Sequence, residues 1–245
     1  MTVRAARRIP LRVAIASIAA TTALLLTGCS TTVLDPPATS RPTSVREAAP
    51  DSELPSAAVI GDSIAIGLGV PAEDAWPLVA AARLGWTLTD FAESGAGFTR
   101  QGVNSHRFDD QVSAVIRLQP QVVLIAATIN DAATARTDPA AVSTATHAAI
   151  ERLSSALPDA TLVGMGAVWG ATAAPPVASV LDDALHDAVL AAGGHWLAIG
   201  QTFLGRADLL QSDGIHPNAA GQALLGEAVS DAIAKAGIEP SSAHR

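Results

Sequence analysis

The sequence predicts an α/β fold, a three-layer α/β/α sandwich around a five-stranded parallel sheet. Three observations predict it. Short apolar runs alternate with longer stretches of helical spacing from residue 57 to residue 236. Several runs are apolar at consecutive positions, as in VVLIAA at 122–127, which suits strands covered on both faces. The 245 residues include four Trp, four Phe and no Tyr, so Ala, Val, Leu and Ile must build the core.

In order, residues 57–60 read as a first strand ending at Gly61, and 72–84 as a helix ended by Gly85. Residues 88–92 read as a second strand and 108–118 as a helix that stops before Pro120. The run 122–127 is a buried strand, followed by a long helix at 139–157 and a strand at 161–167. A helix at 177–192 ends at Gly193-Gly194, and 195–199 is a short strand. The closing helix spans 217–236, with Pro217 in its first turn and Gly237 as its stop. Functional residues in such a sheet gather beyond the carboxyl ends of the strands.

The N-terminal segments stand outside this pattern. Residues 1–12 are basic and 13–26 (VAIASIAATTALLL) are apolar, the n- and h-regions of a secretory signal peptide. Leu26-Thr27-Gly28-Cys29 follows and resembles the lipobox of bacterial lipoproteins. That resemblance implies cleavage after residue 28 and a diacylglycerol on Cys29, whose two chains would hold the protein at the outer face of the cell membrane. A plain signal peptide with a leftover thiol is the alternative. Residues 29–55 form a Pro/Ser/Thr-rich linker, 56–238 the folded domain and 239–245 a tail.

Charge and composition exclude some functions. Without the four arginines of the leader, 11 basic residues face 23 acidic ones, a net charge near −12. No basic cluster remains, which disfavours nucleic acid as a partner. Cys29 is the only cysteine, and the six His show no metal-ligand spacing, so neither a disulfide nor a metal or other cofactor is expected.

Three polar clusters fall just after expected strands or before the last helix: Gly61-Asp62-Ser63, Thr128-Ile129-Asn130-Asp131 and Asp213-Gly214-Ile215-His216-Pro217. A fourth, Glu93-Ser94-Gly95-Ala96-Gly97, follows the second strand. Each taken alone reads as a turn or a helix cap. Their order and strand-end placement point instead to one site.

Together they resemble the SGNH, or GDSL-type, hydrolases over residues 56–238. The resemblance implies a flavodoxin-like fold and a metal-free esterase, lipase or carbohydrate deacetylase. It implies a nucleophile at Ser63, an oxyanion N–H at Gly95 (or Gly97), an oxyanion amide at Asn130, and an Asp213/His216 pair. Two positions depart from the family pattern. Thr128 stands where the family has Gly, which is expected to narrow or reorient the loop carrying Asn130. No Asn lies near Gly95, only Asp90, Glu93 and Ser94.

The chemistry of these residue types agrees. A serine hydroxyl needs a base within hydrogen-bond reach, which His216 can supply. Asp213, three residues earlier, can hold the imidazole tautomer. No Gly-x-Ser-x-Gly elbow is present and the Asp–His spacing is short, which argues against an α/β-hydrolase arrangement. Asp62 and Asp131 are expected to order the first and third loops, and Trp169 either to line an acyl pocket or to pack. The expected partners are an ester, an acylated glycan or a lipid, and the membrane through Cys29. An acyltransferase on the same fold and a non-catalytic envelope lipoprotein are the rival readings.

Overall fold

The computed structural model describes residues 54–242. The expected leader, Cys29, linker residues up to 53 and tail residues 243–245 lie outside the described residues. Five strands, β1 (Ser56–Ile60), β2 (Thr87–Asp90), β3 (Val122–Ala126), β4 (Thr161–Met165) and β5 (His195–Leu197), form one parallel sheet in the order β2-β1-β3-β4-β5. The helices are α1 (Trp76–Leu84), α2 (Phe108–Leu118), α3 (Ala132–Thr137), α4 (Pro139–Ala156), α5 (Val177–Ala191) and α6 (Ala219–Ala236). The expected α/β/α sandwich and flavodoxin-like order are borne out. The chain leaves β1 toward β2 on one side and returns to β3 on the other, so a crevice opens beyond the carboxyl ends of β1 and β3.

Strand alternation builds two separate cores. Ala57 and Val59 of β1, with Val122 and Leu124 of β3, face Trp76, Ala80, Leu225, Val229 and Ile233 of α1 and α6. Their neighbours Ala58, Ile60, Val123 and Ile125 face α2, α4 and α5 through Phe108, Val112, Ile150, Leu153, Leu185 and Val189. This period-two division explains why β1 and β3 are apolar at consecutive positions. β2, in contrast, is an edge strand with Thr87, Thr89 and Asp90 exposed.

Two expected helix starts are corrected. Residues 72–84 are not one helix: a 3-10 turn covers Ala72–Asp74, Ala75 is extended, and α1 begins at Trp76. Pro77 lacks an N–H and suits a first turn, so the helix starts beside it rather than running through. The closing helix starts at Ala219, not at Pro217. Asn218 is its N-cap, its side chain accepting from Gly221 N–H at 3.1 Å, while Pro217 pairs with Leu210 in an isolated antiparallel bridge. The short α3 was not expected from the sequence. β2, β3, β4 and β5 each stop one or two residues before their expected ends.

α1 has no side-chain cap from its own N-cap residue. The cap comes from Gln222 of α6, which is fully buried: its Oε1 accepts from Trp76 N–H at 2.9 Å and its Nε2 donates to the Ile64 carbonyl at 3.0 Å. Gln222→Leu fills the same space but strands a buried donor and a buried acceptor. We expect it to destabilise the domain by about 2–4 kcal/mol in urea unfolding. A midpoint unchanged from wild type would show that these bonds contribute nothing.

Candidate active site

The nucleophile turn follows β1 directly and is buried, with Asp62 7% and Ser63 8% exposed. Buried backbone polar groups need partners, and Gln111 of α2 supplies them at Gly61. Its Oε1 accepts from Gly61 N–H at 3.0 Å and its Nε2 donates to Gly61 carbonyl at 2.9 Å. Gln222 holds Ile64 from the other side of the sheet. Two buried glutamines thus clamp the turn on either side of Ser63. Sequence reasoning missed both. Their signal was weak: each is a polar residue at a core-facing position of an otherwise amphipathic helix.

The loop before α6 brings its two predicted residues to Ser63. His216 Nε2 lies 2.9 Å from Ser63 Oγ, and His216 Nδ1 lies 2.6 Å from Asp213 Oδ2. Asp213 Oδ1 also accepts from Ile215 and His216 N–H at 2.9 and 3.0 Å. The His216 hydrogen bond, helped by these two amides, draws the Asp213 carboxyl down to about 2. An ionised Asp213 accepts the Nδ1 proton, which leaves Nε2 as the acceptor for the serine hydroxyl. The loop is held by Gln211, whose N–H donates to the His216 carbonyl at 2.8 Å and whose Nε2 donates to the Leu68 carbonyl at 2.6 Å.

The loop after β2 presents Gly95 and Gly97 differently. Gly97 N–H donates to the Arg100 carbonyl at 2.9 Å, and a Cβ at Gly97 would fall 2.6 Å from an Asp131 carboxylate oxygen. Gly95 has φ +78°, a conformation that favours glycine, and its N–H has no partner among the described residues. The same is true of the Ser63 N–H.

Asp131, expected to order the third loop, instead orders this second one. Its buried carboxylate accepts from the N–H groups of Phe98, Thr99 and Arg100 at 2.7, 3.0 and 3.2 Å and from the Thr99 hydroxyl at 2.5 Å. Glu93 supports the far side of the loop. Its carboxylate accepts from Asn104 N–H at 2.7 Å and pairs with His106 Nδ1 at 2.8 Å. Burial pushes its pKa up, but these bonds outweigh it and the net shift is downward. His106 is exposed and joined to this buried acid.

The third loop reaches back to the first. The Thr128 hydroxyl donates to Asp62 Oδ2 at 2.6 Å and accepts from Asn130 N–H at 3.1 Å. Asn130 Nδ2 donates to the Ala96 carbonyl at 2.9 Å and approaches Asp62 Oδ2 at 3.3 Å. Asp62 Oδ1 accepts from Ile64 N–H at 2.9 Å. Burial pushes the Asp62 pKa up despite these donors. Thr128 therefore ties the loop that carries Asn130 to the turn that carries Ser63.

Beside the relay, Gly170 packs against the Gly214 carbonyl so closely that a Cβ there would lie 2.4 Å from it. The same segment contributes Trp169 to a cavity of about 470 Å³, lined also by Pro175, Asp182, Trp196 and Gln201. Trp169 also packs against apolar residues of both neighbouring clusters. Of the two roles expected for it, packing is the one its place shows; neither Ser63 nor His216 lines the cavity.

Residues 59–224 match the model of the GDSL-like Lipase/Acylhydrolase family. A GDSL lipase of Mycobacterium tuberculosis is 26% identical over 207 residues, spanning 78% of this chain and 87% of that protein. Among solved structures, the psychrotrophic esterase EstA from Pseudoalteromonas sp. superposes with a TM-score of 0.61 at 19% identity, covering 75% of this chain and 99% of that one. A family two carbohydrate esterase from Clostridium thermocellum, in complex with cellohexaose, gives 0.60 at 19% identity, covering 76% and 66%. The matched segment contains the end of β1, strands β2 to β5 and all four loop clusters. The chain therefore belongs to the GDSL-like lipase/acylhydrolase family, as a serine hydrolase acting on ester bonds.

Proposed function

We propose that the chain hydrolyses carboxylic esters through an acyl-enzyme on Ser63. The Asp213–His216–Ser63 relay, with its 2.6 and 2.9 Å contacts, carries this reading. Ser63 Oγ attacks the ester carbonyl carbon and its proton passes to His216 Nε2. The tetrahedral intermediate collapses, the C–O bond to the alcohol breaks, and the alcohol takes the proton from Nε2. Water then attacks the acyl carbon and gives its proton to Nε2. The acid leaves as Ser63 Oγ recovers that proton. Asp213 stabilises the imidazolium in both halves.

The carbonyl oxygen gains charge at each attack. The unpartnered N–H groups of Ser63 and Gly95 support their assignment as oxyanion donors, and the commitment of Gly97 N–H to Arg100 favours Gly95 over Gly97. Asn130 supplies the third donor. One amide hydrogen stays on the Ala96 carbonyl, and the other exchanges its longer Asp62 contact for the oxyanion.

The chain is further proposed to be exported and held at the membrane by lipidated Cys29, on the strength of the basic, apolar and Leu-Thr-Gly-Cys segments that precede the linker. Cys29→Ser should move the protein from the membrane pellet to the soluble fraction of cells. Retention in the pellet would remove the anchor from this reading.

A fluorophosphonate probe should label folded wild-type protein at Ser63, and Ser63→Ala should abolish both labelling and turnover of p-nitrophenyl esters. A chain-length series of those esters then defines the acyl preference. Equal hydrolysis by wild type and Ser63→Ala would sink the mechanism. The His216 hydrogen bond draws the Asp213 carboxyl down to about 2, so Asp213 keeps its charge over the acid limb of activity above pH ~4. The logarithm of kcat/KM should fall there with a slope of about one per pH unit above pH ~4. A slope near two would show that a second group, such as the buried Asp62 with its raised pKa, titrates as well.

A further inference from the structure

Asp62 is a buried carboxyl whose hydrogen-bond donors are few and divided. Oδ1 takes the Ile64 N–H, and Oδ2 is faced by the Thr128 hydroxyl at 2.6 Å and by Asn130 Nδ2 at 3.3 Å. Among the described residues, His216 is the ionisable side chain that acts on it electrostatically, from the neighbouring relay. A buried acceptor left short of donors is costly and draws in whatever donor can reach it. The Thr128 hydroxyl has one proton, and the 2.6 Å contact with Asp62 takes it in preference to the Ala96 carbonyl at 3.4 Å.

We propose that Thr128 is a positioning residue for the ester hydrolysis assigned above: its hydroxyl satisfies Asp62 Oδ2, and so frees the Asn130 amide for the oxyanion. The proposal rests on that reading of Asn130. Its physical content is a competition between two donors for one carboxylate oxygen. With Thr128 in place, the Asn130 contact is the longer, weaker one and is exchanged at low cost when charge develops on the substrate. Without the hydroxyl, the amide closes on Asp62 and withdraws from the place where it is needed. The Thr128 oxygen also accepts from Asn130 N–H, so its loss frees the backbone that aims the side chain. A glycine at 128 offers neither contact. The departure from the family pattern is therefore a working part of this site.

The test is a double-mutant cycle on purified enzyme with p-nitrophenyl acetate. Thr128→Val keeps the shape and removes the hydroxyl. We expect kcat to fall about 10- to 100-fold with KM within about twofold of wild type, as for a misplaced transition-state donor. Thr128→Ser, which keeps the hydroxyl, should stay within about threefold of wild type in kcat. In an Asn130→Ala background the same Thr128→Val change should cost less than about threefold, because the residue it acts through is gone. Thr128→Ala repeats the cycle if the valine variant does not fold. Equal losses from Thr128→Val in both backgrounds, a rise confined to KM, or wild-type kcat in the valine variant would each overturn the proposal. An inert wild type would instead fail the functional reading, and an Asn130→Ala enzyme with full kcat would fail the oxyanion role of Asn130. Those two outcomes are thus separate from failure at Thr128.

Discussion

The site depends on burying the turn in which the backbone leaves the sheet, whose last ladder bond is the Glu93 N–H on the Gly61 carbonyl at 3.2 Å. β1 ends at Ile60, and the next residues leave the sheet while still under cover. Their amides and carbonyls must find other partners, because an unpaired buried peptide group costs about as much as a lost hydrogen bond. Gln111 satisfies both polar groups of Gly61, and Gln222 satisfies the carbonyl of Ile64. A primary amide is well suited to this work: it carries donor and acceptor side by side and brings no charge into the core. Ser63 is thereby fixed between two anchors, which lets its own N–H remain unspent.

Carboxylates do the corresponding work in the loops. Asp131 gathers three consecutive amides of the second loop, Glu93 closes that loop at Asn104 and His106, and Asp213 gathers two amides of its own turn. An ionised carboxylate has about four lone-pair sites, so one side chain can shape a whole loop. What differs among them is the remaining partner. Asp213 takes both amides on Oδ1 and gives its other oxygen to an imidazole N–H, whereas Asp131 uses both oxygens within the second loop, Oδ2 on Phe98 and Oδ1 on Thr99 and Arg100.

Much of this was legible in the sequence, for physical reasons. Apolar runs report strands because β1 and β3 are covered on both faces, and α2 matched its expected bounds because Pro120 and its amphipathic spacing fix them. Ser63, Asp213 and His216 were legible because their chemistry demands those residue types near strand ends and before the last helix. Gln111 and Gln222 were not, because a glutamine gains its meaning only from what lies across the interface. The true start of α6 was hidden for a related reason. Pro217 is a strong helix-start signal in isolation, but its bridge to Leu210 keeps it outside, and Asn218 caps instead. Thr128 was visible as a departure. Its bond to Asp62, 66 residues away, was not.

The two cores give the site its division of labour. The nucleophile turn and the triad loop root themselves on the α1/α6 side, through Ile64, Ala65, Leu209 and Leu210. The second and third loops root themselves on the other side, through Ala96, Phe98 and Ile129. The proposed proton transfer is thus built on one face of the sheet and the proposed charge stabilisation on the other. A hydrolase needs both within a few tenths of an ångström of the same carbonyl, since small misplacements cost large factors in rate. Independent packing of two cores does not by itself secure that registration. Buried contacts that cross the sheet edge must do so, at two places among the described residues: Gln111 and the Glu93 N–H on Gly61, and Asp62 with the hydroxyl of Thr128 and the amide of Asn130. The first fixes where the nucleophile turn begins. The second joins the turn to the loop that answers it, which is why a hydroxyl at position 128 matters more to this site than its size.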